Sequence, residues 1–240
     1  MALGLAPAYD GVVQERGPMY GIAQPSAADV RALPRLHVSP HPAVAHKLSR
    51  LRRSETGNQA FQELLGEIGA LLAYEALADL SLRETQILTP MGHATGHELR
   101  ETVGLVPILR AGLGLVAPFR QLAPTASVWH LGLHRDERTL QPVEYSQHLP
   151  DRIEADLCLI LDPMLATGGS AVNAARALRS RGAGRVKLVG VIAAPYGVQQ
   201  LNAAFPDIEV HVAALDRDLN EQGYILPGLG DAGDRQFGTT

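Results

Sequence analysis

Five apolar residues in a row, Leu157-Cys-Leu-Ile-Leu161, constrain the fold more than any other stretch of this chain. A run without polar alternation suits a strand covered on both faces, as in a parallel sheet with helices on either side. An acid follows, Asp162, and then the loop Pro163, Met164, Leu165, Ala166, Thr167, Gly168, Gly169 and Ser170. The pattern next turns helical, Ala171-Val-Asn-Ala-Ala-Arg-Ala-Leu178, with Gly182 and Gly184 to stop it. Backbone N–H groups of Ala166 to Ser170 can converge on an anion there, helped by the positive end of the helix. Thr167 and Ser170 add hydroxyl donors, and Asp162, at the carboxyl end of the strand, can hold sugar hydroxyls. A phosphate joined to a ribose is what such a loop is shaped to grip. A P-loop, the obvious rival, ends in Gly-Lys-Ser/Thr, and this loop has no lysine.

Strand and helix patterns alternate along the chain. Strands are predicted over residues 103–109, 127–133, 157–161, 187–193 and 208–213, and helices over 111–122, 170–181 and 198–204. Ahead of them, Phe61, Leu64, Leu65, Ile68, Leu71, Leu72 and Leu77 recur at spacings of three and four, one apolar face of a long helix that begins near Asn58. A shorter helix is predicted over 42–53. The fold class is therefore α/β, a mostly parallel twisted sheet flanked by helices, with N-terminal helices before it. Ligands of such sheets sit beyond the carboxyl ends of the strands, and Arg110, Arg135 and Asp162 all fall at such ends. Residues 1–36 carry Gly4, Pro7, Gly11, Gly17, Pro18, Gly21, Pro25 and Pro34 without periodicity and read as a flexible extension. Residues 37–240 form the domain.

Composition excludes several classes of function. A formal charge of -4 gives no general attraction to nucleic acid or to an anionic membrane, so neither is an expected partner, and phosphate affinity must come from placed groups. The same balance counts against an RNA-binding regulator. The single cysteine, Cys158, cannot form an intrachain disulfide and lies in the apolar strand, which reads as a reduced core thiol. With no signal-like segment and no apolar run long enough to span a bilayer, a cytoplasmic setting is expected. Among the nine histidines, His41 with His46 and His93 with His97 have no third ligand in pattern, so no transition-metal site is expected.

Pro107-Ile-Leu-Arg-Ala-Gly-Leu-Gly-Leu115 can be read in two ways. Gly112-x-Gly114-x-x-Ala117 after a strand is a degenerate dinucleotide fingerprint, with Asp136 or Glu137 near the place of a ribose-binding acid. Against it, Pro118 stands where the helix should settle, Arg110 occupies the turn, and the Asp162–Ser170 loop is left without a job.

In the second reading, Pro107 to Gly114, Leu161 to Ser170 and Leu219-Asn-Glu-Gln-Gly-Tyr-Ile-Leu-Pro-Gly-Leu-Gly-Asp-Ala-Gly-Asp-Arg-Gln-Phe-Gly-Thr239 together resemble the uracil phosphoribosyltransferases, members of the type I phosphoribosyltransferases. The resemblance runs from about His37 to the last residue. It implies transfer of the phosphoribosyl group of 5-phospho-α-D-ribose 1-diphosphate (PRPP) to N1 of uracil, giving UMP and diphosphate. By carry-over, Arg110 and Arg135 meet the diphosphate. Asp162 to Ser170 hold the phosphoribosyl moiety, as does Asp231. Ile225, Gly230, Asp231 and Ala232 line a C-terminal uracil-binding segment. Intact Arg110, Asp162 and Asp231 argue against a catalytically silent member. Magnesium is implied as cofactor, held through PRPP and by Asp231 or its water. A homo-oligomer, dimer or tetramer, and a GTP effector are implied partners. Tyr74 and Glu75 match a family pair read as core packing and subunit contact, while Phe119 and Trp129 read as core or interface. The chain departs from the family at Arg138, Glu144 and Ser146, in a segment read as an arm or loop over the site, and at Tyr196, where glutamate is usual.

Overall fold

The structure is a computed structural model that describes residues 33, 35–135 and 142–239, without the side chains of 133–135 and 142–147. A nine-stranded sheet forms its centre. Its strands are β1 (Leu36–Val38), β4 (Val103–Leu109), β5 (Ser127–Val128), β6 (Leu131–Arg135), β7 (Pro142–Gln147), β8 (Leu157–Leu161), β9 (Met164–Leu165), β10 (Arg185–Ala193) and β11 (Glu209–Leu215). The main order is β1-β11-β10-β8-β4-β6-β7, with β5 on β4 and β9 on β10. Every pairing in this sheet is parallel except β6 with β7. Two antiparallel pairs lie apart, β2 (Leu82–Thr89) with β3 (Gly92–Leu99) and β12 (Asp218–Leu219) with β13 (Ile225–Leu226).

Helices cover both faces, as unbroken apolar strands require. On one side, α1 (Pro42–Arg52), α2 (Asn58–Ala76) and α3 (Val116–Leu122) bury Leu51, Phe61, Ile68 and Phe119 against Leu105, Leu159 and Val189. On the other, α4 (Gly169–Arg179) and α5 (Pro195–Ala204) bury Leu178 and Leu201 against Ile160, Leu188 and Val210. Cys158 lies in that second layer, and burial pushes its thiol up to about 11. The last helix, α6 (Ala232–Phe237), is short.

Several expectations are corrected. The predicted strand at 127–133 is two strands, β5 and β6. The predicted helix at 111–122 opens as a 3-10 turn over Ala111–Leu115, where Gly112 and Gly114 favour an α-helix poorly. Pro118 then stands in the first turn of α3, where no intrahelical N–H is needed. The β2–β3 hairpin is not predicted, because its residues are mostly exposed and carry no core-facing pattern. Tyr74 is 74% exposed and is not core, whereas the neighbouring Glu75 accepts a bond from Ser39 Oγ at 2.6 Å. Leu36, assigned to the extension, pairs with Val210 in the sheet, and Leu33 packs against the second core layer. Residues 1–32 and 34 of the extension, and 136–141 of the arm, lie outside the described residues.

Candidate active site

Asp162 leaves the sheet as β8 ends. Its N–H donates to Val189 O at 3.1 Å, and its Oδ1 accepts from Met164 N at 3.3 Å, which turns the chain sharply. The next residues are built into the sheet. Pro163 O accepts from Val191 N and Ile192 N, Leu165 O accepts from Ala194 N, and β9 lies beside β10. The Ala166 N–H, expected in the anion cradle, instead donates to Met164 O at 3.0 Å. Ala166 is therefore not available to the expected cradle, and the N–H groups that remain lie later in the loop. Gly168 caps α4 with φ 81, and the first intrahelical bond runs from Val172 N to Gly168 O. The N–H groups of Gly169, Ser170 and Ala171 are thus left without an intrahelical acceptor at the helix start. A side chain at 168 would meet Gly197 O at 2.8 Å, besides requiring a left-handed backbone.

The Arg110 turn lies beside this loop. β4 pairs with β8 in a register that sets Pro107 opposite Leu161, and Arg110 follows the end of β4. Gly112 makes the approach possible, because a Cβ there would fall 2.3 Å from Leu161 O. The Arg110 guanidinium is half exposed and divides its contacts: Nη2 donates to Asp234 Oδ1 at 2.8 Å, and Nη1 to Thr239 Oγ1 at 3.3 Å. Thr239 Oγ1 also donates to Asp234 Oδ1. That hydroxyl first, and the guanidinium second, hold the Asp234 carboxyl below the usual carboxylate range. Arg135 ends β6, beyond the Leu109–Gly132 pairing, but its side chain lies outside the described atoms.

The C-terminal segment closes onto the Arg110 turn. Ile225 is buried in β13, and Gly228, with φ 68, folds directly over Ile225 O. Gly230 also has a positive φ, Leu229 and Ala232 are buried, and Asp231 caps α6 through Oδ1, which accepts from Asp234 N at 2.9 Å. Gly233 lies between Asp231 and Arg110, with its Cβ position 3.2 Å from Asp231 Oδ1 and 3.6 Å from Arg110 Nη2. Gln236, buried, spans the Arg110 turn, donating to Ala111 O and accepting from Gly114 N in the amide orientation that satisfies both. Three stretches far apart in sequence thus meet at one end of the sheet.

The uracil phosphoribosyltransferase family model matches residues 38–239. The chain belongs to the uracil phosphoribosyltransferase family. It is 57% identical over 202 residues to the uracil phosphoribosyltransferase of Roseiflexus castenholzii, covering 84% of this chain and 97% of that one. It is 51% identical over 206 residues to the uracil phosphoribosyltransferase of Halalkalibacterium halodurans, covering 85% and 99%. The solved structure of the AQ2163 protein from Aquifex aeolicus superposes with a TM-score of 0.81 at 38% identity, over 85% of this chain and 99% of that one.

In this member of the family, sequence reasoning missed the groups that hold the site in place. Asp234 and Thr239 orient Arg110, and Arg52 anchors the turn at Gly228. Arg52 Nη1 and Nη2 donate to the Asp216 carboxylate at 2.7 and 2.5 Å, and Nη1 also donates to Gly228 O at 2.8 Å. Asp216 in turn accepts from Gly228 N at 3.0 Å. Arg235 lies over the Phe61 ring and donates to Leu229 O and Arg53 O. No spacing in the sequence links these pairs, since each joins separate elements.

Proposed function

We propose that this chain transfers the phosphoribosyl group of PRPP to N1 of uracil, releasing diphosphate and forming UMP, in keeping with the names of its relatives. The observation that carries the reading is the meeting of the Asp162–Ser170 loop, the Arg110 turn and the Gly228–Gly233 turn at the carboxyl ends of β4 and β8. The chemistry needs no protein nucleophile. Uracil N1 displaces diphosphate at C1 with inversion, through an oxocarbenium-like transition state, so positioning and electrostatics suffice. The N–H groups at the start of α4 and the hydroxyls of Thr167 and Ser170 take the 5-phosphate, and Asp162 takes the ribose hydroxyls. Arg110 and Arg135 meet the diphosphate, where a guanidinium fork suits paired oxygens. Backbone groups near Ile225 and Gly230 to Ala232 read the edge of uracil.

Magnesium fits the donors present, since Asp162 and Asp231 are partly buried carboxylates, the hard oxygen type this ion takes when substrate supplies its other ligands. When bound, it neutralises charge on the leaving diphosphate. A homo-oligomer belongs to the same reading and is supported by exposed apolar side chains on the β2–β3 hairpin, Leu88 at 76% and Met91 at 96%. The GTP effector rests on the family resemblance alone. A cytoplasmic setting belongs to the same reading. Among the described residues, no helix is long and apolar enough to cross a membrane.

The direct test follows labelled uracil into UMP with PRPP and magnesium, in competition with cytosine. Uracil presents an N3–H donor and a C4 carbonyl, whereas cytosine presents the reverse pattern. A rigid backbone pocket leaves two polar groups unpaired with cytosine, about 1–3 kcal/mol apiece, so discrimination of roughly a hundredfold is expected. Comparable turnover of both bases would refute backbone readout, and no UMP at all would refute the function.

A further inference from the structure

At the β1 edge of the sheet, away from β8, three potential metal ligands meet. Parallel pairing sets His37 of β1 opposite His211 of β11, with the rings stacked at a centroid distance of 4.5 Å and an interplanar angle of 15°. Glu209 lies two residues before His211, on the same face of the strand. One ligand atom from each of the three lies within 4.8 Å of the others. The His211 side chain is 9% exposed, and its Nε2, 3.6 Å from Glu209 Oε2, has no hydrogen-bond partner. A buried ring nitrogen in that condition is uncommon in folded proteins and calls for an explanation.

We propose that His37, Glu209 and His211 form a site for a divalent transition-metal ion of the zinc type. Two imidazole nitrogens and a carboxylate oxygen are a donor set such ions accept, with a coordination position left for water. Zinc–nitrogen bonds of about 2.0–2.1 Å require the ligand atoms to draw closer than they now stand, and one of the two nearly parallel rings to turn until both in-plane lone pairs meet at the ion. His37 is exposed and on the edge strand, so it is the ligand that moves.

Two cations face Glu209 and compete with the metal: Lys187 Nζ at 3.3 Å and Arg35 Nη1 at 3.8 Å. Lys187 has other partners, both oxygens of Asp79 at 2.8 Å and Ala76 O at 2.9 Å, so Glu209 can turn from it without stranding a buried ammonium. Arg35 is half exposed and stays hydrated. None of the three ligands belongs to the phosphoribosyl loop, the Arg110 turn or the C-terminal turn.

The test is a titration of the untagged full chain with Zn2+ against a chromophoric chelator, repeated with excess Mg2+ and on His37→Ala and Glu209→Gln. One ion per chain is expected at micromolar or tighter affinity, not displaced by Mg2+. His37→Ala, which alters an exposed side chain, should keep the wild-type melting temperature without metal and weaken Zn2+ at least tenfold. Glu209→Gln should weaken it as well. No binding in the micromolar range overturns the proposal, and so does binding that both substitutions leave unchanged, since other histidines would then hold the ion.

Discussion

Asp231 serves two neighbours. Its Oδ1 caps α6 by accepting from Asp234 N, and its carboxylate stands beside the Arg110 guanidinium across Gly233. Asparagine caps a helix about as well as aspartate, so Asp231→Asn should leave the fold unchanged while removing the charge. Loss of a charged contact in the site costs about 2–4 kcal/mol of transition-state stabilisation, and kcat/KM should fall at least tenfold. Steady-state rates within twofold of wild type would remove Asp231 from the site. Arg110→Lys is the second test at this scale. Arginine reaches Asp234 and Thr239 with separate nitrogens, and a single ammonium cannot hold both and still face the diphosphate that the proposed function places there. The KM for PRPP should rise by about tenfold or more, with the KM for uracil little changed. A loss that follows uracil instead would move Arg110 to the base pocket.

Among elements, the decisive join is between α1 and the turn after β13. Arg52, the last residue of α1, grips Asp216 with two nitrogens and holds Gly228 O, while Asp216 holds Gly228 N. The Asp216 side chain is 6% exposed, so removing Arg52 leaves a buried carboxylate with little compensation. Arg52→Ala should therefore destabilise the protein by about 3–5 kcal/mol, read from chemical denaturation. Since Gly228 starts the turn proposed to read the base, the KM for uracil should rise more than that for PRPP. Equal effects on both substrates, or none, would show that the clamp does not position the base segment.

Across the whole molecule, Cys158 reports on the integrity of the double-layered core. It is fully buried, and burial raises its thiol from 9.0 to about 11. The folded state therefore keeps its proton where the unfolded chain releases it. Stability contributed by this group is full below pH 9 and declines as pH rises from 9 toward 11, by roughly 3 kcal/mol at most. Cys158→Ala should flatten that part of the stability profile. Alkylation of wild type should proceed only as fast as the protein opens, and rapid labelling of the native protein at neutral pH would show that the second core layer is not closed.

The Asp162–Ser170 loop is legible in the sequence because its parts are contiguous. An apolar strand, Asp162, a glycine-rich turn and the helix that opens at Gly169 follow one another, and local backbone geometry alone aims them. The alternation of strand and helix determined the parallel sheet in the same way, through burial on both faces. What only the tertiary structure decided is every pairing between distant segments. Ala166 N–H turns inward because β9 adds to β10. Arg110 takes Asp234 and Thr239 as partners because α6 packs on its turn, and Arg52 takes Asp216 because α1 ends beside the exit of β11. His37 and His211 meet through the β1–β11 register, which no local periodicity encodes. Periodicity records which face of an element is buried, but the identity of the neighbour across that face is settled only when the elements pack.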